Sequence, residues 1–430
     1  MRIPEDRDLS IDFARALCLP VVVLLHALQM GIGGDPLRAF NALAGFEPLA
    51  WATWPLMIMP VFFICGGFAS ITQWRRLRGH GETVAHYLRV RAVRLAQPVV
   101  ALTAAVGAVL ALMLACGVDA GFVQSFAFRL AEPLWFIPVY LICTAAVPAM
   151  SWLHRHAPWA TYLGLAAAAV LVDILSRGFD LPLGALNWIF VWLFAQQLGF
   201  GLRDGWFSRR SPWLLVAVAA FAYGFIGLLV GVFGYSHDML DNLNPPSVAI
   251  LALALGQACL FALLQPAIRR LVERRAVLGV VIVFGVYGMV IYLWHTFAMA
   301  VVTGGQLLLG LPFPPVLSPE WWATRPTWIL AIALVVAGCC LVVPRVESRW
   351  PKPVERRTPL AAVILWTTCA VVGVGVFLTL GYVPWQHGLA GWSLVTLAVV
   401  ALIVGGPGAR SPGARAGEIE SAAAASARAV

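Results

Sequence analysis

Long apolar runs, broken by short segments that hold most of the arginines, organise this chain from about residue 11 to residue 405. Roughly 17–25 apolar residues are enough to cross a bilayer as a helix. Twelve such runs occur, at about 11–33, 53–74, 93–115, 133–152, 158–176, 184–202, 212–234, 247–268, 277–304, 325–344, 360–382 and 389–405. They predict an all-α, polytopic transmembrane helix bundle. The first run carries Arg15 and His26, is longer than a signal-peptide core and is followed by no small-residue cleavage site, so it reads as a retained span.

Loop charge supports the count. If the segments alternate sides, only Arg38, Arg129, Arg177 and Arg325 fall outside and Arg15 lies within the first span. All the other Lys and Arg, out of 29, fall on the opposite side. Basic residues collect in cytoplasmic loops. The pattern therefore predicts an even number of spans in a cell membrane, with both termini cytoplasmic.

Composition narrows the class further. Hydrophobic residues make up 61% and charged residues 11% of 430, against about 25% charged in soluble domains. The +9 net charge lies in short interhelical loops, which favours orientation in lipid over nucleic-acid binding. All eight cysteines lie within or at the ends of apolar runs, without a CxxC, and read as small core residues. The histidines lack metal-ligand spacing: His80 and His86 sit in a loop, and no HExxH occurs. No internal repeat is visible, which counts against an inverted-repeat transporter. The Gly, Pro, Ser and Ala-rich segment 406–430 reads as a disordered tail.

Ionisable groups inside a span are costly and point to a site by default. Asp12 and Arg15 are three residues apart and can pair on one helix face. Arg15 and His26 are eleven apart, three turns plus about 20°, so both look the same way, about 16 Å apart along the axis. His295, in the ninth run, falls at about the same depth as His26, roughly 22–26 Å above the inner boundary. Two histidines at one depth suit proton transfer. Arg91 and Arg94 share a face where the third run leaves the cytoplasm and fit either anionic headgroups or a phosphate. Glu132 opens PLWFIPVYL, where an acid favours the helix dipole. Asp173 lies near the outer end of the fifth run, within reach of water, and Gln196, Gln197 and Gln257 read as interhelical hydrogen-bond donors. Asn244-Pro245-Pro246-Ser247 is expected to open the eighth span with proline in its first turn.

These residues resemble a known family. IDFARALCLPVVVLLH, with its Arg-x10-His, then VFFICGGF, RAVRLAQP, EPLWFIPVYL and YLWH in that order, are similar to the family-3 membrane acyltransferases. WLFAQQLGFGLRDG followed by NPPS resembles an actinobacterial-type branch, in which a His-Gln pair is common where Gln196 stands. The resemblance covers roughly 8–344, ten of the twelve spans. It divides the chain into an acyltransferase domain at 1–344, two additional helices at 345–405 and the tail.

The resemblance implies O-acyl, often O-acetyl, transfer from cytoplasmic acyl-CoA to a hydroxyl of a glycan, a lipid-linked sugar or a secondary metabolite. Carried onto this chain, it gives Arg15, Arg91 and Arg94 the CoA phosphates, with Asp12 fixing Arg15 and Glu132 in support. His26 becomes the general base or a transient acyl carrier, and His295 orients it or stabilises the oxyanion. The competing class is a transporter or flippase of a sugar or lipid intermediate.

Overall fold

The computed structural model describes residues 8–353 and 358–405, so the tail read at 406–430 lies outside the described residues. The chain opens with α1 (Leu9–Gln29), a hairpin of β1 (Met30–Gly33) and β2 (Arg38–Asn41), a short α2 (Glu47–Leu56) and α3 (Met59–Gly79). Next come α4 (Val84–Ala115), α5 (Ala120–Ala131), a 3₁₀ turn at Glu132–Trp135 and α6 (Phe136–His156). The rest is α7 (Pro158–Asp173), α8 (Asn187–Arg203), α9 (Pro212–Phe233), α10 (Val248–Val272), α11 (Arg275–Leu308), α12 (Pro319–Glu347), α13 (Leu360–Leu380) and α14 (Trp385–Val404). Among the described residues, twelve helical segments are long and apolar enough to cross a membrane, and each overlaps one of the twelve runs. This is a multi-pass membrane protein.

Three boundaries differ from the sequence reading. The first run stops being helical at Gln29, because Met30-Gly31-Ile32-Gly33 pairs with β2 across a turn that needs Gly34 at φ +93°. The second run falls on two helices, α2 and α3, and the fourth begins on the 3₁₀ turn that follows α5. Pro60 starts α3 afresh, and Pro133 forces the 3₁₀ turn between α5 and α6, since proline has no N–H to continue the ladder. The eighth span opens one residue after the prolines: Ser247 caps α10 by accepting from Ala249 N, leaving Pro245 and Pro246 before the helix.

Without a hydrophobic force between helices in lipid, close backbone approach and interhelical hydrogen bonds hold the bundle together. α3 and α8 touch backbone to backbone: a Cβ on Gly67 would lie 2.3 Å from Gln196 O, and one on Gly199 would lie 2.1 Å from Ile64 O. Gln196 donates to Cys143 O (2.8 Å), Gln197 to Met150 O (3.0 Å) and Gln257 to Met57 O (2.8 Å), as interhelical donors should. Asp173 is buried rather than wetted. It accepts from Asn187 Nδ2, Tyr235 Oη and Val248 N, tying α7 and α8 to the start of α10. Of the cysteines, Cys116 is exposed at the end of α4, while Cys18, Cys65, Cys143, Cys259 and Cys339 are buried.

α13 and α14 pair with each other and lie against α4 and α6. Arg89 locks them there, donating to Leu402 O (2.5 Å) and Ile403 O (2.8 Å) at the end of α14.

One end of the bundle is rich in arginine, and its corner is pinned by polar links. Asp8 accepts from Ser10 N and from Arg269 (2.6 Å), joining α1 to α10. Burial opposes ionisation of Asp8, but the hydrogen bonds from Arg269 and Ser10 outweigh it and hold the carboxyl below its ordinary range. At the same end Arg75 grips Asp204 through both guanidinium nitrogens, and His154 Nε2 lies 3.4 Å from Asp204. The opposite end carries the hairpin, docked on α5 by a hydrogen bond from Ala39 N to Ser125 Oγ (3.0 Å).

Candidate active site

α1 and α11 bring the two intramembrane histidines together. A Cβ on Gly288 would lie 3.0 Å from Leu19 Cδ1, so the helices nearly touch there. Seven residues further on along both helices, His26 Nδ1 lies 3.0 Å from His295 Nε2. Two parallel helices in contact at this spacing keep the same faces opposed from one heptad to the next. The rings are parallel within 5°, with centroids 5.1 Å apart.

The bond pattern fixes the protons. His295 Nδ1 lies 2.5 Å from Tyr292 O, and a carbonyl only accepts, so this nitrogen carries the proton. In a neutral ring that leaves a lone pair on His295 Nε2, which accepts from His26 Nδ1–H. His26 Nε2 is then left with a free lone pair, which is what a general base needs. His295 is fully buried, whereas His26 keeps part of its surface open.

The segment EPLW is tied to α11 one turn from His295. Tyr292 Oη donates to Pro133 O, holding the 3₁₀ turn against α11. Glu132 is ion-paired to Arg129, and Arg129 lies within electrostatic reach of His26. Arg129 was not singled out from the sequence, where it resembled one more loop arginine. The only signal was its place three residues before Glu132.

Arg15 lies below, half-buried, with its guanidinium 5.8 Å from the centre of the Phe62 ring. From there a ladder of rings climbs to the histidines. Phe62 meets Phe136 edge-on at 5.0 Å, Phe136 meets Tyr292 at 5.2 Å, and Tyr292 lies 6.1 Å from His295. These rings come from α3, α6 and α11, so no local pattern could have announced the ladder.

The arginines of α4 divide by face. Arg94 is exposed and lies within electrostatic reach of Arg91, Arg15 and Tyr140. Arg91 turns towards α3, 3.4 Å from Ser70 Oγ, and its Nε has no partner among the described residues. Arg89, two residues earlier, belongs to the α14 contact instead. Asp12 stands half-buried one turn before Arg15 on α1. The site therefore has a cluster of three arginines at one end, an aromatic wall, and a histidine pair beneath the hairpin end. Such a cluster suits a polyanionic phosphate group, and the histidine pair suits moving a proton.

A family profile described as an acyltransferase domain matches residues 8–343, from just before α1 to near the end of α12. No curated protein matches the chain, and no solved structure does.

Proposed function

Because the chain belongs to acyltransferase family 3, a family of membrane acyltransferases, we propose that it carries an acyl group, acetyl in the simplest case, from a cytoplasmic acyl-CoA to a hydroxyl of a glycan or lipid-linked sugar. The observation that carries this reading is the lone pair left on His26 Nε2 by the 3.0 Å bond to His295.

Basic loops face the cytoplasm, so the arginine-rich end is the donor side, both termini are cytoplasmic, and the membrane is the cell membrane. Arg91, Arg94 and Arg15 hold the CoA phosphates there. The pantetheine arm runs along Phe62, Phe136 and Tyr292 and delivers the thioester carbonyl to the histidines. Asp12 helps set Arg15 in place.

The acceptor hydroxyl gives its proton to His26 Nε2 as its oxygen bonds to the thioester carbon. The tetrahedral intermediate then collapses, the C–S bond breaks, and the proton on His26 passes to the sulfur, releasing an ester and the free thiol. While His26 is cationic, its Nδ1–H bond to His295 is charge-assisted and stronger. Arg129, anchored by Glu132, adds positive charge near the place where the oxyanion forms.

Thiol release from acetyl-CoA in reconstituted membranes tests the reading. Release that depends on an acceptor and is lost in His26→Ala supports it. Undiminished release in His26→Ala removes the site, and movement of a sugar or lipid intermediate without thioester consumption replaces the enzyme with a transporter.

A further inference from the structure

Arg325 stands in the second turn of α12, at the hairpin end of the bundle, and only 6% of its surface is exposed. Its guanidinium lies between two indole faces, 4.5 Å from the Trp321 ring and 4.7 Å from the Trp328 ring. Among the described residues no carboxylate pairs with it, no carbonyl accepts from it, and its Nε is buried without a partner.

A snorkelling arginine extends its head into water; this side chain is drawn in, and only the Nη edge of its guanidinium is left open to the cleft it lines. Burying a cation without a counter-charge is unfavourable, and two indole faces offset only part of that, so the site favours an anion.

The space for one is adjacent. Arg325, Trp321 and Trp328 line a partly open cleft with a cavity of about 10 Å³, faced on its other side by Met30 and Ile32 of β1 and by Phe313. The enclosed part is about the size of one water, so an anion meets the Nη edge at the mouth of the cleft and a sugar ring stays outside it. Met30 is the first residue after α1 and follows His26 by four residues, so the cleft opens beside the end of the helix that carries the proposed base.

We propose that Arg325, Trp321 and Trp328 form the acceptor-recognition subsite, and that the acceptor carries an oxyanion, a carboxylate or phosphate, which the guanidinium binds while a neighbouring hydroxyl reaches His26. This names the substrate class and rests on the acyl-transfer reading. The tryptophans cover the guanidinium faces, so its N–H edge meets the anion in a forked, charge-assisted bond. An uncharged glycan of the same shape leaves the cation unpaired and is rejected.

The test uses binding, independent of turnover, with the full chain in phosphatidylcholine nanodiscs and with methyl glucuronoside and methyl glucoside as probes. Saturation-transfer NMR is expected to show the glucuronoside bound roughly ten- to a hundredfold more tightly than the glucoside. Arg325→Gln abolishes the preference and His26→Ala keeps it. Should Arg325→Gln not fold, Arg325→Lys, which keeps the charge but not the fork, is expected to retain part of it. A wild-type chain with no preference, or an Arg325 variant with undiminished preference, overturns the proposal. So does a chain without sugar preference whose Arg325 variants lose thermal stability only when phosphatidylglycerol is added, since the oxyanion is then a lipid headgroup. Thiol release measured on the same preparations separates the two ideas. Release dependent on His26 without a probe preference removes the subsite alone, and a preference without such release removes the catalytic reading alone.

Discussion

His26 Nδ1 and His295 Nε2 lie 3.0 Å apart across 269 residues of sequence, in rings tilted by only 5°. The hydrogen bond runs in one direction. His295 is committed to the Tyr292 carbonyl, so it accepts from His26 and leaves the outer nitrogen of His26 available. The two histidines are therefore not interchangeable. His26→Ala should lower kcat by about 10²–10⁴-fold, the usual worth of a positioned base. His295→Ala should cost less, and His295→Gln should recover part of that loss, because its Oε1 can accept where Nε2 does. Initial rates of thiol release at saturating donor check this. Equal losses in His295→Ala and His295→Gln, or a larger loss than in His26→Ala, would contradict the assigned direction.

Gly288 sets the spacing of that pair. Its absent side chain lets Leu19 approach, one heptad before the histidines. Gly288→Val should wedge α1 from α11 and lengthen the bond, lowering kcat tenfold or more, since a displacement of about 1 Å can cost 10²-fold. Gly164→Val is the control, because a Cβ there meets nothing within 4 Å. Comparable activity in the two variants would falsify the link.

The arginines of α4 should separate by role. Arg91→Gln and Arg94→Gln are expected to raise KM for acetyl-CoA by roughly tenfold each, the loss of one charge-assisted contact. A pantetheine thioester without the nucleotide should not distinguish them from wild type. Arg89→Gln removes the anchor of α14 and should instead lower the thermal midpoint with KM unchanged. Kinetics and a melting curve for the three variants decide it, and a KM effect confined to Arg89 would reverse the assignment.

Asp204 predicts an acid limit to stability. Burial alone would raise its pKa, but the paired hydrogen bonds from Arg75 outweigh it and hold the carboxyl well below the ordinary 3.8. A carboxyl depressed in the folded state contributes stability that is fully present above the unfolded value and is lost as pH falls through the folded one. Wild type should therefore lose this contribution only below about pH 4. Asp204→Asn should melt lower at neutral pH and show a shallower fall on acidification. Melting curves across that range would refute the idea if the two proteins ran parallel.

Cys116 reports orientation. It is exposed beyond the last turn of α4, at the hairpin end. If the arginine-rich end is cytoplasmic, a membrane-impermeant maleimide added to intact cells should label Cys116. Labelling only after the cells are opened would invert the topology and move the donor site to the wrong side.

The twelve spans were legible in the chain because lipid leaves a spanning segment few options. Each must be long, apolar and hydrogen-bonded within itself, a local property that a window of about twenty residues contains. The shared face of Arg15 and His26, and the matching depth of His295, were legible for a similar reason, since helix geometry converts spacing into direction and height. Pro60, inside the second run, and Pro133, at the start of the fourth, were visible too, but not the turn each would impose.

What the sequence could not decide was which equal depths become contacts. His26 meets His295 because Gly288 admits Leu19, a pairing between distant helices. The ring ladder, the drawing of Arg129 towards His26, and the split between Arg89 and its neighbours Arg91 and Arg94 likewise depend on which helix lies opposite. Arg325 shows the difference most clearly. Spacing alone sets Trp321 and Trp328 beside it, at i−4 and i+3 on α12, but only packing buried it and brought β1 and Phe313 against it. Helix formation in a membrane is a decision each segment makes alone. Side-chain partnership is settled by neighbours hundreds of residues away, and hydropathy carries no record of them.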